Sequence, residues 1–269
     1  MRVISFGSGS SGNALLVQSG STALLIDCGL SRRQIERQLM LAGLEPAALS
    51  AILLTHEHGD HALSVGSLAR RFGVPVLATA PTLLALGPVL EGVSSRALIP
   101  GCPCQVGGCM IEGFLVPHDA AEPVGYTLRM DDGCVGVAID LGSWDERVLA
   151  ALEPADLVII EANHDRERLR VAPYSWPVKQ RIFGPHGHLD NIAAGELLAR
   201  LGQDGRPRTA WLAHLSEQAN SPALARRMVM EVLDLACVKR ITVAALPRTR
   251  AMHWQSDQQF QQQELLFGL

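Results

Sequence analysis

The string Thr55-His56-Glu57-His58-Gly59-Asp60-His61 places four metal-capable side chains, His56, His58, Asp60 and His61, within six residues. It holds three of the chain's nine histidines, which makes a chance grouping a poor explanation. Imidazole nitrogens and carboxylate oxygens suit zinc, manganese or iron. In an extended stretch, side chains two positions apart share a face, so His56 and His58 can grip one ion. Where the chain then turns into a helix, Asp60 and His61 can point toward a second ion. Asp60 also stands where a helix N-cap belongs, which is a structural alternative for it.

Such a cluster needs donors from elsewhere, and the sequence offers them at the ends of other apolar runs. His118 follows Phe114-Leu115-Val116-Pro117, Asp140 closes Val135-Gly136-Val137-Ala138-Ile139, and His214 follows Ala210-Trp211-Leu212-Ala213. Each alone is an ordinary polar residue at a strand end. Together they complete a set for two cations, with Asp140 the natural bridge between them. Glu161 follows the run Leu157–Ile160 and is expected to hold a ligand histidine in its tautomer. His164 is expected to meet substrate or a ligand, a structural hydrogen bond being its alternative. His188 and Asn191 lie in Gly187-His188-Leu189-Asp190-Asn191, just before a helix whose first N–H groups are free to hold phosphate. Asn191 is grouped with Glu161 and His164 as a supporting or substrate-binding residue.

The elements that must position these groups follow from periodicity. Apolar stretches at 2–6, 14–18 and 22–26 predict an N-terminal meander. Ser31 predicts the cap of a helix through Met40. Ala51–Thr55 reads as a buried strand, followed by one helix over about 61–72 and a strand over Val74–Thr79. Strand character recurs near 96–99, 105–116, 124–130, 134–139, Leu157–Ile160, Ala210–Ala213 and Ile241–Ala245. Residues 189–201 and 222–235 read as amphipathic helices. No internal repeat or compositional linker divides the chain, so residues 1–269 read as one domain with a polar, Gln-rich tail from about 255.

The order His-x-His-x-Asp-His, then His118, Asp140 and His214, resembles the metallo-β-lactamase fold across nearly the whole chain. The resemblance implies an α/β architecture, an αββα four-layer sandwich of two mixed sheets with helices outside. It implies metal 1 on His56, His58 and His118, metal 2 on Asp60, His61 and His214, and Asp140 bridging. Asp27, in Leu24-Leu25-Ile26-Asp27-Cys28-Gly29, resembles the family's early structural aspartate. Shorter strings narrow the match: S-G-S-S-G-N at 8–13, P-H-D-A at 117–120, E-A-N-H-D at 161–165, G-H-L-D-N at 187–191 and H-L-S at 214–216. These resemble the YycJ, WalJ or VicX subgroup, whose members are regarded as DNA-directed phosphodiesterases, 5′-to-3′ exonucleases by expectation. The resemblance implies a hydrolase in which two cations about 3.5–4 Å apart share and acidify a bridging water for attack on phosphorus. His188 resembles the catalytic histidine of tRNase Z relatives and is expected to protonate the leaving oxygen. With it, Asp60 and Asp140 form the expected catalytic set.

Composition sets the limits on partners. The chain has 269 residues, 48% apolar and 19% charged, with net charge −4, which excludes both a disordered chain and a global positive field for nucleic acid. No apolar run reaches membrane-spanning length and no secretory signal is evident, so no membrane partner and a cytoplasmic setting are expected. Arg166, Arg168, Arg170, Lys179 and Arg181 form a basic stretch that suits a nucleic-acid backbone or, equally, a solvated helix face. Cys102, Cys104 and Cys109 lack zinc-site spacing and read as small buried or turn residues. Only 74 positions separate Asp140 from His214, too few for an inserted CASP domain, and the arm of tRNase Z is not evident. An aspartate at 140, where common zinc β-lactamases carry cysteine, argues against lactam hydrolysis. A nuclease acting on DNA ends or single strands is therefore the leading reading. A thioesterase of glyoxalase II type or a cyclic phosphodiesterase is the alternative, and a binding protein with a vestigial site the third. The native metal (zinc or manganese, with iron possible), polarity and oligomeric state stay open.

Overall fold

The computed structural model describes residues 1–256. Among the described residues, fourteen strands form two seven-stranded sheets. The first contains β1 (Arg2–Gly7), β2 (Ala14–Ser19), β3 (Thr22–Ile26), β4 (Ala51–Leu53), β5 (Val76–Thr79), β6 (Ser95–Leu98) and, at its edge beside β1, β14 (Met252–Gln255). The second contains β7 (Cys104–Val106), β8 (Cys109–Leu115), β9 (Val124–Met130), β10 (Gly133–Ala138), β11 (Leu157–Glu161), β12 (Arg208–Ala213) and β13 (Ile241–Ala245), in that spatial order. Each sheet is half antiparallel and half parallel: β3 to β6 run parallel in the first, β10 to β13 in the second.

Strand alternation divides the core into three layers. Leu24 and Ile26 of β3 face the seam between the sheets with Val137, Ile139, Ile159 and Trp211, while Ala23 and Leu25 face outward. That outer layer packs on Ile35 and Leu39 of α1 (Arg32–Leu41) and on Val65 and Leu68 of a helix described below. On the other side Val158 and Ile160 meet helices at 146–152, 191–201 and 222–235. Strands buried on both faces explain why their sequences are continuous apolar runs rather than alternating ones. The expected αββα sandwich is the observed one.

One expectation is corrected. The single helix over 61–72 is two, α2 (Gly59–Ala62) and α3 (Val65–Phe72). The break lies where Ser64 turns to other partners: its amide donates to Cys28 O (3.0 Å) and its hydroxyl to Leu30 O (2.8 Å), docking the metal-loop segment onto the chain after β3. A strand that periodicity did not mark, β14, ends at Gln255, where the polar tail is expected to begin, and Trp254, 7% exposed, joins the central core. β14 pairs antiparallel with β1, Val3 opposite Trp254. Its four residues carry too few apolar positions to announce a strand. The rest of the expected tail lies outside the described residues.

The loop before α1 shows how tightly the metal loop is held. Cys28 N donates to His61 O (2.6 Å), Asn13 N to Asp60 O (2.8 Å) and Gly29 N to Asn13 O (2.9 Å). A Cβ on Gly29 would stand 1.6 Å from Asp60 O, so only glycine admits this approach. Gly29→Ala is expected to displace the 56–61 loop and destabilise the fold by about 1–3 kcal/mol or more, as forced overpacking does. A denaturant midpoint equal to that of the parent would contradict this.

Candidate metal centre

The metal-capable residues converge because strand ends converge. Asp27 follows β3, His56 follows β4, Asp140 follows β10, Glu161 ends β11 and His214 follows β12. All are carboxyl ends of parallel strands, the edge where open α/β sheets bind ligands. His118 follows β8, which runs in the same direction as β10 two strands away, so it reaches the same edge. Three of these residues have left-handed backbones, Asp27 (φ 62°), Asp140 (55°) and His214 (51°). Among the described residues only one other non-glycine, Cys237, shares that conformation. Strain of about 1–3 kcal/mol per residue is typical of sites that the surrounding fold holds in place.

The seven expected ligands fall into two adjoining groups. His56, His58 and His118 offer ring nitrogens within 4.8 Å of one another, as do the donor atoms of Asp60, His61, Asp140 and His214. His118 Nε2 stands 3.3 Å from His58 Nδ1, and His214 Nε2 3.3 Å from Asp60 Oδ2. Asp140 Oδ2 lies 2.6 Å from His61 Nε2 and 3.5 Å from His56 Nε2, so one carboxylate faces both groups. Asp60 does not cap its helix; His58 holds the cap position of α2 and Asp60 sits in the first turn, its carboxylate turned to the cluster.

Each imidazole is aimed by what its other nitrogen meets. His61 Nδ1 donates to Asp27 Oδ2 (2.7 Å), His118 Nδ1 to Gly187 O (3.1 Å) and His214 Nδ1 to Glu161 Oε1 (3.0 Å). His56 Nδ1 meets Thr55 Oγ1 (3.0 Å), and the Thr55 hydroxyl also bonds both oxygens of Asp27. Such outer partners fix tautomer and orientation in histidines suited to hold a metal. His56 Nε2 is buried and has no hydrogen-bond partner. Asp140 Oδ1 is buried without a well-aligned hydrogen bond, although His214 Nδ1 is 2.7 Å away. Orphaned donor atoms among clustered His and Asp side chains fit divalent cations, which would satisfy them.

The electrostatics agree. Burial disfavours charge on His61, yet Asp140 and Asp27 raise its pKa to about 10, and Asp140 and Glu161 likewise raise that of the buried His214. Burial also opposes the charge of Asp140, but His214 and His61 hold it well below the usual carboxylate range. Burial, with His61 beside it, pushes His56 down; burial likewise lowers His118.

His188 stands at the edge of the cluster, its side chain 17% exposed, with Nδ1 2.8 Å from Glu161 Oε1 and 3.3 Å from Asp140 Oδ1. Glu161, fully buried, thus holds both His188 and His214. Burial opposes charge on His188, but Glu161 and Asp140 raise its pKa to about 9. His164 is buried, and desolvation lowers it to about 4. Its Nδ1 lacks a partner, so the structural hydrogen bond weighed for it is not made there.

Two sequence readings change here. Asn191 does not approach the cluster: its amide exchanges hydrogen bonds with Asn220, which anchors Ala162 O and Asn163 O. The first N–H groups of α4 (Asn191–Leu201) are not open to phosphate. Ile192 N and Ala193 N donate to Asp190 Oδ1, and Asn191 N to His164 O. The basic stretch is split among protein partners: Arg166 pairs with Asp190, Arg170 with Glu167, and Arg181 with Asp119 beside His118. Residues without an assigned role also matter. Ser8 Oγ accepts from His214 N (2.8 Å), Asn163 Nδ2 donates to His214 O (2.8 Å), and Asn13 Nδ2 reaches His61 Nε2 (3.0 Å). Their only signal was membership of the short strings at 8–13 and 161–165. Among the described residues the metal-capable groups contain His, Asp and Glu and no cysteine.

Comparison with known proteins bears on the same features. A sequence profile for the beta-lactamase superfamily domain matches residues 22–215. The chain is 38% identical over 236 residues to exodeoxyribonuclease WalJ of Streptococcus pneumoniae, covering 85% of this chain and 87% of that protein. It is 35% identical over 230 residues to exodeoxyribonuclease YycJ of Bacillus anthracis, covering 84% and 87%. Among solved structures, the metallo-beta-lactamase fold protein YhfI of Bacillus subtilis superposes with a TM-score of 0.70 at 19% identity, over 94% of this chain and 99% of its own, a likeness of fold. With two sheets whose strand ends gather the His-x-His-x-Asp-His loop, Asp140 and His214, the chain belongs to the metallo-β-lactamase superfamily, beside the WalJ and YycJ proteins.

Proposed function

We propose that the protein is a two-metal phosphodiesterase acting on DNA as an exonuclease, with ends or single strands as its substrate. The observation that carries this reading is the seven-donor cluster with His188 at its rim, in a chain whose relatives over most of its length are named exodeoxyribonucleases. In this reading His56, His58 and His118 would hold one divalent cation and Asp60, His61 and His214 the other, with Asp140 placed to serve both. Zinc and manganese suit these donors, and iron does as well. A cation pair held there supplies an activated water and neutralises charge on the phosphate oxygens.

The protein's own groups supply the rest. Asp27, Thr55, Gly187 and Glu161 hold the ligand rings in place through the bonds described above. His188, anchored through Nδ1, keeps Nε2 for the leaving oxygen, and the Glu161 carboxylate behind it favours the protonated ring. Proton donation of this kind contributes about 10²–10⁴-fold to a rate.

Digestion of end-labelled single-stranded DNA is expected to need zinc or manganese and to stop with a chelator. Cleavage of a thioester by a protein that leaves the DNA intact would instead place it among small-molecule hydrolases. Asp140→Ala is expected to lose bound metal and to cost more than the roughly 10–100-fold seen when an outer partner is removed. His188→Ala is expected to keep both cations and lose about 10²–10⁴-fold in rate on DNA. Full rate in that variant on a poor leaving group contradicts its role as proton donor.

Metal loading itself is expected to depend on pH. Without cations His61 and His214 hold protons at neutral pH, because their pKa values are raised, whereas His56 and His118 are already neutral. Cations must displace those protons, so affinity falls as pH falls and loading at pH 7 releases at least one proton per protein. Calorimetry in buffers of different ionisation enthalpy measures that number, and zero release would contradict the assignment.

A further inference from the structure

A cleft of about 550 Å³ adjoins the cluster on the side of His188. Its walls include Trp144, His164, Arg166, Arg170, Phe183 and His188, so one residue of the candidate catalytic set belongs to both places. The volume lies in the range of sites that enclose a small ligand.

Besides the carboxylates of Asp190, which Arg166 neutralises, and Glu196, the walls carry three kinds of chemistry. Arg166 and Arg170 are four residues apart on one helix (Arg166–Val171) and therefore share its face. Their side chains are 56% and 62% exposed. Arg166 spends Nε and Nη2 on Asp190, and Arg170 donates Nη1 to Glu167; a guanidinium has five donors, so each retains N–H groups. Phe183 is 39% exposed and meets His164 edge to face, ring centroids 5.5 Å apart. Trp144 is pinned by a bond from Nε1 to Ala193 O (2.9 Å). His164 is 2% exposed, and its Nδ1 has no hydrogen-bond partner, a rarity for a buried polar atom.

Guanidinium donors for phosphate, aromatic rings for a base and an unpartnered imidazole, in one cleft that His188 also lines, match a single nucleotide. Resting on the phosphodiesterase reading, we infer that this cleft seats the nucleotide next to the scissile phosphate. Its base lies against Phe183 and Trp144, and its outer phosphate lies at Arg166 and Arg170. The basic stretch of the sequence then has a divided role, with Arg166 and Arg170 facing substrate and Arg168 facing solvent.

The test is calorimetric titration of the metal-loaded protein with thymidine 5′-monophosphate and with thymidine. Phe183→Ala is expected to weaken both probes by roughly 5- to 100-fold, the span for loss of one base–aromatic stack. Arg170→Ala is expected to weaken the monophosphate alone. Arg168→Ala, on the same helix but outside the cleft, is expected to alter neither, and matching thermal midpoints establish that all three variants fold. Parent-like binding of both probes by folded Phe183→Ala and Arg170→Ala, in a protein that digests DNA, overturns the subsite. Weakened binding in both variants of a protein that digests no DNA keeps the subsite and overturns the phosphodiesterase reading.

Discussion

An ionised carboxylate, Asp140, sits 2% exposed at the seam between two sheets, and much of the site answers to it. A buried charge without compensation costs several kcal/mol. His61, His56, His188 and His214 surround this one within 2.6–3.5 Å. The raised pKa values of His61, His188 and His214 place positive charge beside the acid, a charge that divalent cations would supply in their stead. The cluster is thus a place where positive charge is obligatory and its carrier exchangeable, which ties metal affinity to pH.

That constraint reaches into the backbone. Asp27, Asp140 and His214 leave their strands in left-handed conformations that turn the side chains off the sheet edge. Hydrogen bonds far apart in the chain hold the turns: Ser8 to His214, Asp27 to Thr55, Asn163 to His214. Glycine at position 29 lets the loop before α1 close onto Asp60. The two apolar layers outside the sheets and the one between them make the platform rigid enough to sustain this strain.

The central features were legible because they are local or end a long apolar run. Four metal-capable side chains lie in six residues, and His118, Asp140 and His214 stand where buried strands stop. What escaped depends on contacts that pattern cannot show. Ser64 breaks the expected helix because it binds backbone oxygens of Cys28 and Leu30. β14 exists because Trp254 finds the central core, although its neighbours are polar. Asn191 was placed near the site by its position in a short string, yet its side chain turns inward to Asn220. The basic stretch looked uniform, and only the fold separates residues lining the cleft from those facing solvent.

The claim that one carboxylate and six other donors gather two cations is tested most directly by anomalous diffraction from crystals grown with zinc. The account predicts two peaks about 3.5–4 Å apart. One should lie about 2.0–2.2 Å from nitrogens of His56, His58 and His118, the other equally close to Asp60, His61 and His214, with Asp140 touching both. A single peak, or peaks away from Asp140, would contradict it.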